Sequence, residues 1–161
     1  MSQLTHLNAE GEAHMVDISG KDITSRIATA QSVVQLSPKI VAAIASKKIV
    51  KGDLFGAARI AGIQGAKKCS DLIPLCHAIP LTKISVEMEL IDDALVIKSL
   101  CKTSGRTGVE MEALSAVSIA ALTIYDMCKG LDKGITIRET RLLKKTGGKS
   151  GDWSSGKYTV D

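Results

Sequence analysis

At 161 residues the chain has the length of one domain, with enough material to bury a single substantial core. Hydrophobic residues make up 45% of it but aromatic residues only 2%, so the core must be aliphatic, and the stacking platforms of a single-strand RNA reader are excluded. A formal net charge of +4 is too modest to announce nucleic acid. With no run of about 18 apolar residues and no hydrophobic core in the opening segment, a soluble, cytoplasmic protein without membrane partners is expected.

The first element is expected over residues 24–36, where Ile27, Thr29, Gln31 and Val33 alternate apolar and polar among β-branched neighbours, the pattern of a strand. Ser37-Pro38 then opens a helix predicted to run to about Lys48, with Pro38 at the first helical position. A second helix starts at Asp53, a residue suited to N-capping, and runs through "LFGAARIAGIQGAK"; its three glycines argue against a regular helix. "SDLIPLCHAIP" is turn-like between Pro74 and Pro80. Next, Ile84, Val86, Met88 and Leu90 share one face of a half-buried strand, and the turn at Asp92-Asp93 leads into a second, so a hairpin is predicted.

A long helix follows from Thr107 to about Lys129, with Val109, Ala113, Ala116, Val117, Ala120, Ile124 and Met127 on its apolar side. "GITIRETRLL" forms the last strand. The order predicts an α+β fold of ferredoxin-like βαββαβ type, an antiparallel sheet with helices packed on one face and an extra helix in the first crossover. Residues 1–161 read as one domain, with 1–12 and 147–161 expected to be flexible.

Cys69, Cys76, Cys101 and Cys128 show no C-x-x-C pairing and read as reduced, mostly buried small residues; no metal site is expected. Basic residues concentrate in two segments, Lys47 to Lys68 and Lys129 to Lys149, which suggests one anionic ligand held between them. Gly148-Lys149-Ser150 ends like a P-loop. The early glycine is replaced by Leu143, however, and no helix can follow in "GDWSSGKYTVD", so that loop is excluded and a lysine-bearing tail is left. Lys149 is expected to reach phosphate from that tail.

In "KTSGRTGVEMEAL", Thr107-x-x-Glu110 has the form of a capping box, which would account for Glu110, whereas Glu112 reads either as a favourable charge at the positive end of the helix dipole or as a contact to a polar ligand. At the other end of the helix, Asp126 and Lys129 lie one turn apart on a shared face, either an ordinary surface ion pair or, with Asp126 between apolar Ile124 and Met127, the pieces that general acid–base chemistry uses. Glu112 and Asp126 fall on nearly one face but about 21 Å apart along a helix axis. Either a long ligand spans them or two chains share a site. Lys51 precedes a helix N-terminus and His77 sits in a stiffened loop.

"KGDLFGAARIAGIQGAKKCSDLIPLCHAIPLTK", "TGVEMEALSAVSIAALTIYDMCK" and "RLLKKTGGKSGDW", in this order, resemble the cyclic pyranopterin monophosphate synthases of molybdenum cofactor biosynthesis, over about residues 14–153. The resemblance implies a lyase that rebuilds the cyclic dihydro-GTP intermediate into a pyranopterin and closes a cyclic phosphate with loss of pyrophosphate. It also implies a homo-hexamer, a trimer of dimers, with active sites at dimer interfaces. By the same resemblance Asp126 is the active-site acid or base and Lys51 and Lys129 are essential lysines. Substrate would be held by Leu75, Cys76, His77, Met111 and Glu112, with Lys67, Lys145 and Glu110 as further contacts. No resident cofactor is implied, though magnesium could accompany the triphosphate. A nucleotide-sensing regulatory domain on the same fold is the alternative, and turnover separates the two.

Overall fold

A computed structural model of the chain describes residues 6–47 and 52–156. The elements in chain order are β1 (Thr24–Gln35), α1 (Pro38–Ala45), α2 (Leu54–Lys67), α3 (Cys69–Leu72), β2 (Leu81–Ile91), β3 (Ala94–Gly105), α4 (Glu110–Cys128), β4 (Thr136–Thr146) and β5 (Trp153–Ser154). The strands form one antiparallel sheet in the order β2-β3-β1-β4-β5. Its first four strands have the ferredoxin-like arrangement, with α2 and α4 packed on one face. The aliphatic core lies between that face and the helices, where Ala30, Val34, Leu95 and Ile97 meet Ala113, Ala116, Val117, Ala120 and Ile124.

Most ends follow from local chemistry. The Asp53 side chain accepts a hydrogen bond from the Gly56 amide at 2.9 Å and starts α2, as an N-cap should. Asp92 takes a left-handed turn (φ 54°) that reverses the β2–β3 hairpin, a conformation aspartate tolerates. The first helix is shorter than its pattern suggests. It ends at Ala45, where the Ser46 hydroxyl donates back to the Ala42 carbonyl at 2.8 Å and Lys47 turns to φ 54°.

Two expectations about helices need correcting. The glycines of α2 do not disturb it. They let it approach α4: a Cβ at Gly62 would stand 2.9 Å from the Ala116 carbonyl oxygen, and one at Gly65 would stand 2.8 Å from Ile119 Cγ1. We therefore expect Gly62→Ala to destabilise the protein in a thermal melt by about 1–3 kcal/mol despite its better helix propensity, because backbone cannot move aside as a side chain can. An unchanged or raised melting temperature would refute the close-packing account.

The second correction concerns α4, which starts at Glu110 rather than Thr107. Its N-cap is Val109, and no side chain caps it. The predicted capping box is therefore not formed. Glu110 and Glu112 both fall in the first turn, at the positive end of the helix dipole. Although α4 is long and apolar enough to cross a bilayer, most of its apolar residues belong to the core, with Met111 and Leu122 exposed.

Beyond Thr146 the described tail, in which the glycines set an expectation of flexibility, makes a turn and returns. The Gly147 amide donates to Asp152 Oδ1 at 3.1 Å, the Lys145 ammonium donates to the Ser150 hydroxyl, and β5 pairs with β4 at Lys144 and Lys145. A strand there was not foreseen.

Candidate active site

Two confluent cavities open where the first turn of α4 meets the amino-terminal arm. The smaller, about 280 Å³, has Leu75, Cys76, His77, Met111, Glu112 and Glu110 in its wall, together with Val16, Ile18 and Lys21 of the arm. The larger, about 980 Å³, carries five cations, Lys21, Arg26, Arg106, Lys145 and Lys149, against two carboxylates, Asp22 and Glu110. Lys21, Thr107, Gly108 and Glu110 line both, so the two form one groove.

The arm is drawn in by side chains of this groove. His77 Nε2 hydrogen bonds the Val16 carbonyl at 2.8 Å, and Arg106 Nε donates to the Lys21 carbonyl at 3.0 Å. Glu110, freed from capping, lies over Gly108, where a Cβ would meet its carboxylate at 1.8 Å, and reaches toward Lys145 at 3.8 Å. That contact marks the boundary between the carboxylate-lined end and the cationic end.

Glu112 is the buried acid of the small cavity, only 4% exposed. Burial pushes its carboxyl pKa up, and the Glu110 charge adds to this; its own amide and the Cys69 thiol pull the other way. Behind it, the Cys69 thiol lies 3.5 Å from the Ser115 hydroxyl. Burial raises the Cys69 and Cys101 thiols to about 12 and also raises Cys76, the one of the three in the cavity wall, so all three stand as neutral thiols rather than nucleophiles. Among the described residues no three His, Cys, Asp or Glu side chains cluster as a metal centre requires.

A raised acid pKa means that the folded state binds the Glu112 proton more tightly than the unfolded chain does. Its contribution to stability is then full below the ordinary glutamate range and is lost as pH rises through the folded value. Glu112→Gln should melt higher than the parent near neutral pH, and this difference should vanish in acid. If the carboxylate accepts hydrogen bonds from a ligand, the same change should weaken ligand turnover by about 10- to 100-fold. A variant that melts lower at neutral pH would show that the Glu112 carboxylate is already satisfied by the protein itself.

The remaining expected residues lie elsewhere. Lys129 and Asp126 form an ion pair of 2.7 Å at the far end of α4, with side chains 50% and 57% exposed. The hydrogen bond and charge of Asp126 hold the Lys129 ammonium above its ordinary pKa. Lys67 is an exposed residue ending α2 and lines neither part of the groove. Lys51 lies outside the described residues. The expectation that the two basic segments grip one anion is also revised within a single chain. Lys145 and Lys149 are joined in the large cavity by Lys21, Arg26 and Arg106, and by no described residue of the Lys47 to Lys68 segment.

Sequence reasoning passed over those three cations because each stands outside a basic cluster. Only Arg106 carried a local signal, sitting between Gly105 and Gly108 immediately before a helix.

The model of the MoaC family matches residues 15–148. This chain belongs to the MoaC family. Membership places it in molybdenum cofactor biosynthesis, as an enzyme family whose substrates fit a small GTP-derived molecule. The matched span runs from the arm to the tail and so contains the groove except for His6, Lys149 and Ser150. In this MoaC family member, then, the cations gather toward one end of the groove and the buried carboxyl of Glu112 lies at the other. Asp126 and Lys129 stand about 21 Å and about 25 Å from Glu112 at the helical rise.

Proposed function

We propose that the protein is a cyclic pyranopterin monophosphate synthase, a lyase converting 3',8-cyclo-7,8-dihydro-GTP to cyclic pyranopterin monophosphate and pyrophosphate. The observation that carries this reading is the two-ended groove. A guanine-derived ring presents N–H donors, which a carboxylate such as Glu112 can accept in a half-apolar pocket, whereas a triphosphate needs several cations. Both ends belong to one molecule in this substrate.

In the reaction the purine part is opened and rebuilt, which requires groups that give and take protons. A substrate hydroxyl attacks the α-phosphorus, and the bond to the β-phosphate breaks so that pyrophosphate leaves. Lys21, Arg26, Arg106, Lys145 and Lys149 provide the charge that would hold the phosphates and offset the negative charge that develops as they separate. Any magnesium would accompany the phosphates, since no described cluster would hold it by itself.

Asp126, Lys129 and Lys51 are the proposed proton-transfer groups. Because Asp126 and Lys129 lie at the far end of α4, they would come to the groove from a second copy of the chain, in a homo-hexamer built from dimers with shared sites. Lys67 would join the substrate in the same assembly. The arrangement needs no membrane and no nucleic acid, and the proposed setting is the cytoplasm.

The deciding experiment supplies purified protein with the cyclic dihydro-GTP intermediate and measures pyrophosphate and the pterin product. Stoichiometric appearance of both supports the synthase. Tight binding with no turnover would instead identify a nucleotide-sensing domain.

A further inference from the structure

Arg26 differs from the other cations of the large cavity in how its guanidinium is used. From β1, its Nε donates to the Gly105 carbonyl at 3.0 Å and its Nη2 to the Arg106 carbonyl at 3.3 Å. Two N–H groups of the planar fork are thus committed to the backbone where β3 ends and the loop to α4 begins. That loop carries Arg106, Thr107 and Gly108 and delivers Glu110 and Glu112.

Its third nitrogen faces the tail. A Cβ at Gly148 would stand 2.2 Å from Arg26 Nη1 and 3.0 Å from Cζ, and the residue has φ +81°. The preceding Gly147, at φ +86°, lies so close to Ser25 that a Cβ would be 2.2 Å from its carbonyl oxygen. The tail therefore leaves β4 hard against Ser25 and Arg26 of β1, at two left-handed positions where glycine alone avoids both strain and clash. One residue further on is Lys149, in the wall of the large cavity.

We propose that Arg26 is a positioning residue whose guanidinium ties the tail carrying Lys149 to the loop before α4, holding the cationic and carboxylate ends of the groove at a fixed spacing. This rests on the reading that one ligand spans both ends. A simple phosphate ligand would need only the charge. A positioning fork needs two in-plane donors, which lysine cannot reproduce.

The test compares Arg26→Lys and Gly148→Ala with the parent protein. Hydrogen exchange is first followed in the ligand-free protein over residues 105–109 and 146–150, with inorganic tripolyphosphate binding measured in parallel. Arg26→Lys should keep tripolyphosphate affinity within about threefold while exchange rises in both segments, because charge survives and the fork does not. Gly148→Ala keeps the Arg26 side chain but forces its guanidinium and the tail apart. Exchange should rise at 105–109 as well as in the tail itself.

With the cyclic dihydro-GTP intermediate as substrate, Arg26→Lys should lower kcat about tenfold or more with little change in KM, as expected when alignment rather than binding is lost. The proposal is overturned if Arg26→Lys leaves exchange and kcat as in the parent while tripolyphosphate binding falls, or if Gly148→Ala affects only the tail. Should the parent protein fail to turn over this substrate, the synthase reading falls, while the exchange results still decide whether Arg26 joins the two segments.

Discussion

Replacing Asp126 or Lys129 by alanine should lower turnover of the cyclic dihydro-GTP intermediate by about a hundredfold or more, the low end for losing a general acid or base. The melting temperature should stay within a few degrees of the parent. Both side chains are half-exposed in the single chain, and the ion pair they form lies at a helix end rather than in the core. Exposed pairs of this kind contribute little to stability, so the pair is better explained by chemistry than by folding. Lys129 is held protonated by its partner, which suits it to stand as a fixed positive charge and makes it a weaker proton donor for as long as the ion pair lasts. Asp126→Asn separates these roles, since it keeps the shape but removes the charge. Near-normal turnover in Lys129→Ala would remove that residue from the mechanism.

Mixing two inactive variants should restore activity if the site is shared. One variant lacks Glu112 and the other lacks Lys129, each as alanine. In a dimer containing one of each, one site combines both defects while the other receives Glu112 and Lys129 intact. Random reassembly then makes about a quarter of all sites whole, so activity should rise from a starting level of about one to ten per cent to about a quarter of the parent's or more. Within a single α4 the two positions lie about 25 Å apart at the helical rise, too far for one proton-transfer centre. If the subunits demonstrably exchange and activity does not recover, the two groups act within one chain and the long-ligand alternative stands.

Much of this protein was settled by its sequence, and the parts that were share a physical cause. Alternation at Ile84, Val86, Met88 and Leu90 with a turn at Asp92-Asp93 determined a hairpin, and Asp53 and Pro38 determined two helix starts, because these signals act across a few residues. The motifs around "PLCH", "GVEMEAL" and "YDMCK" pointed to the family that the match over residues 15–148 establishes. Only the tertiary structure decided the rest. Gly62 and Gly65 read as a source of irregularity in α2 until α4 was packed against them. Thr107 and Glu110 read as a capping box until the loop from β3, held by Arg26, began the helix at Glu110. Lys21, Arg26 and Arg106 were isolated letters, and they join Lys145 and Lys149 because antiparallel pairing sets β1 between β3 and β4, bringing together segments more than a hundred residues apart. Periodicity and caps carry no information about such long-range meetings, which depend on how the whole sheet and its helices close over one core.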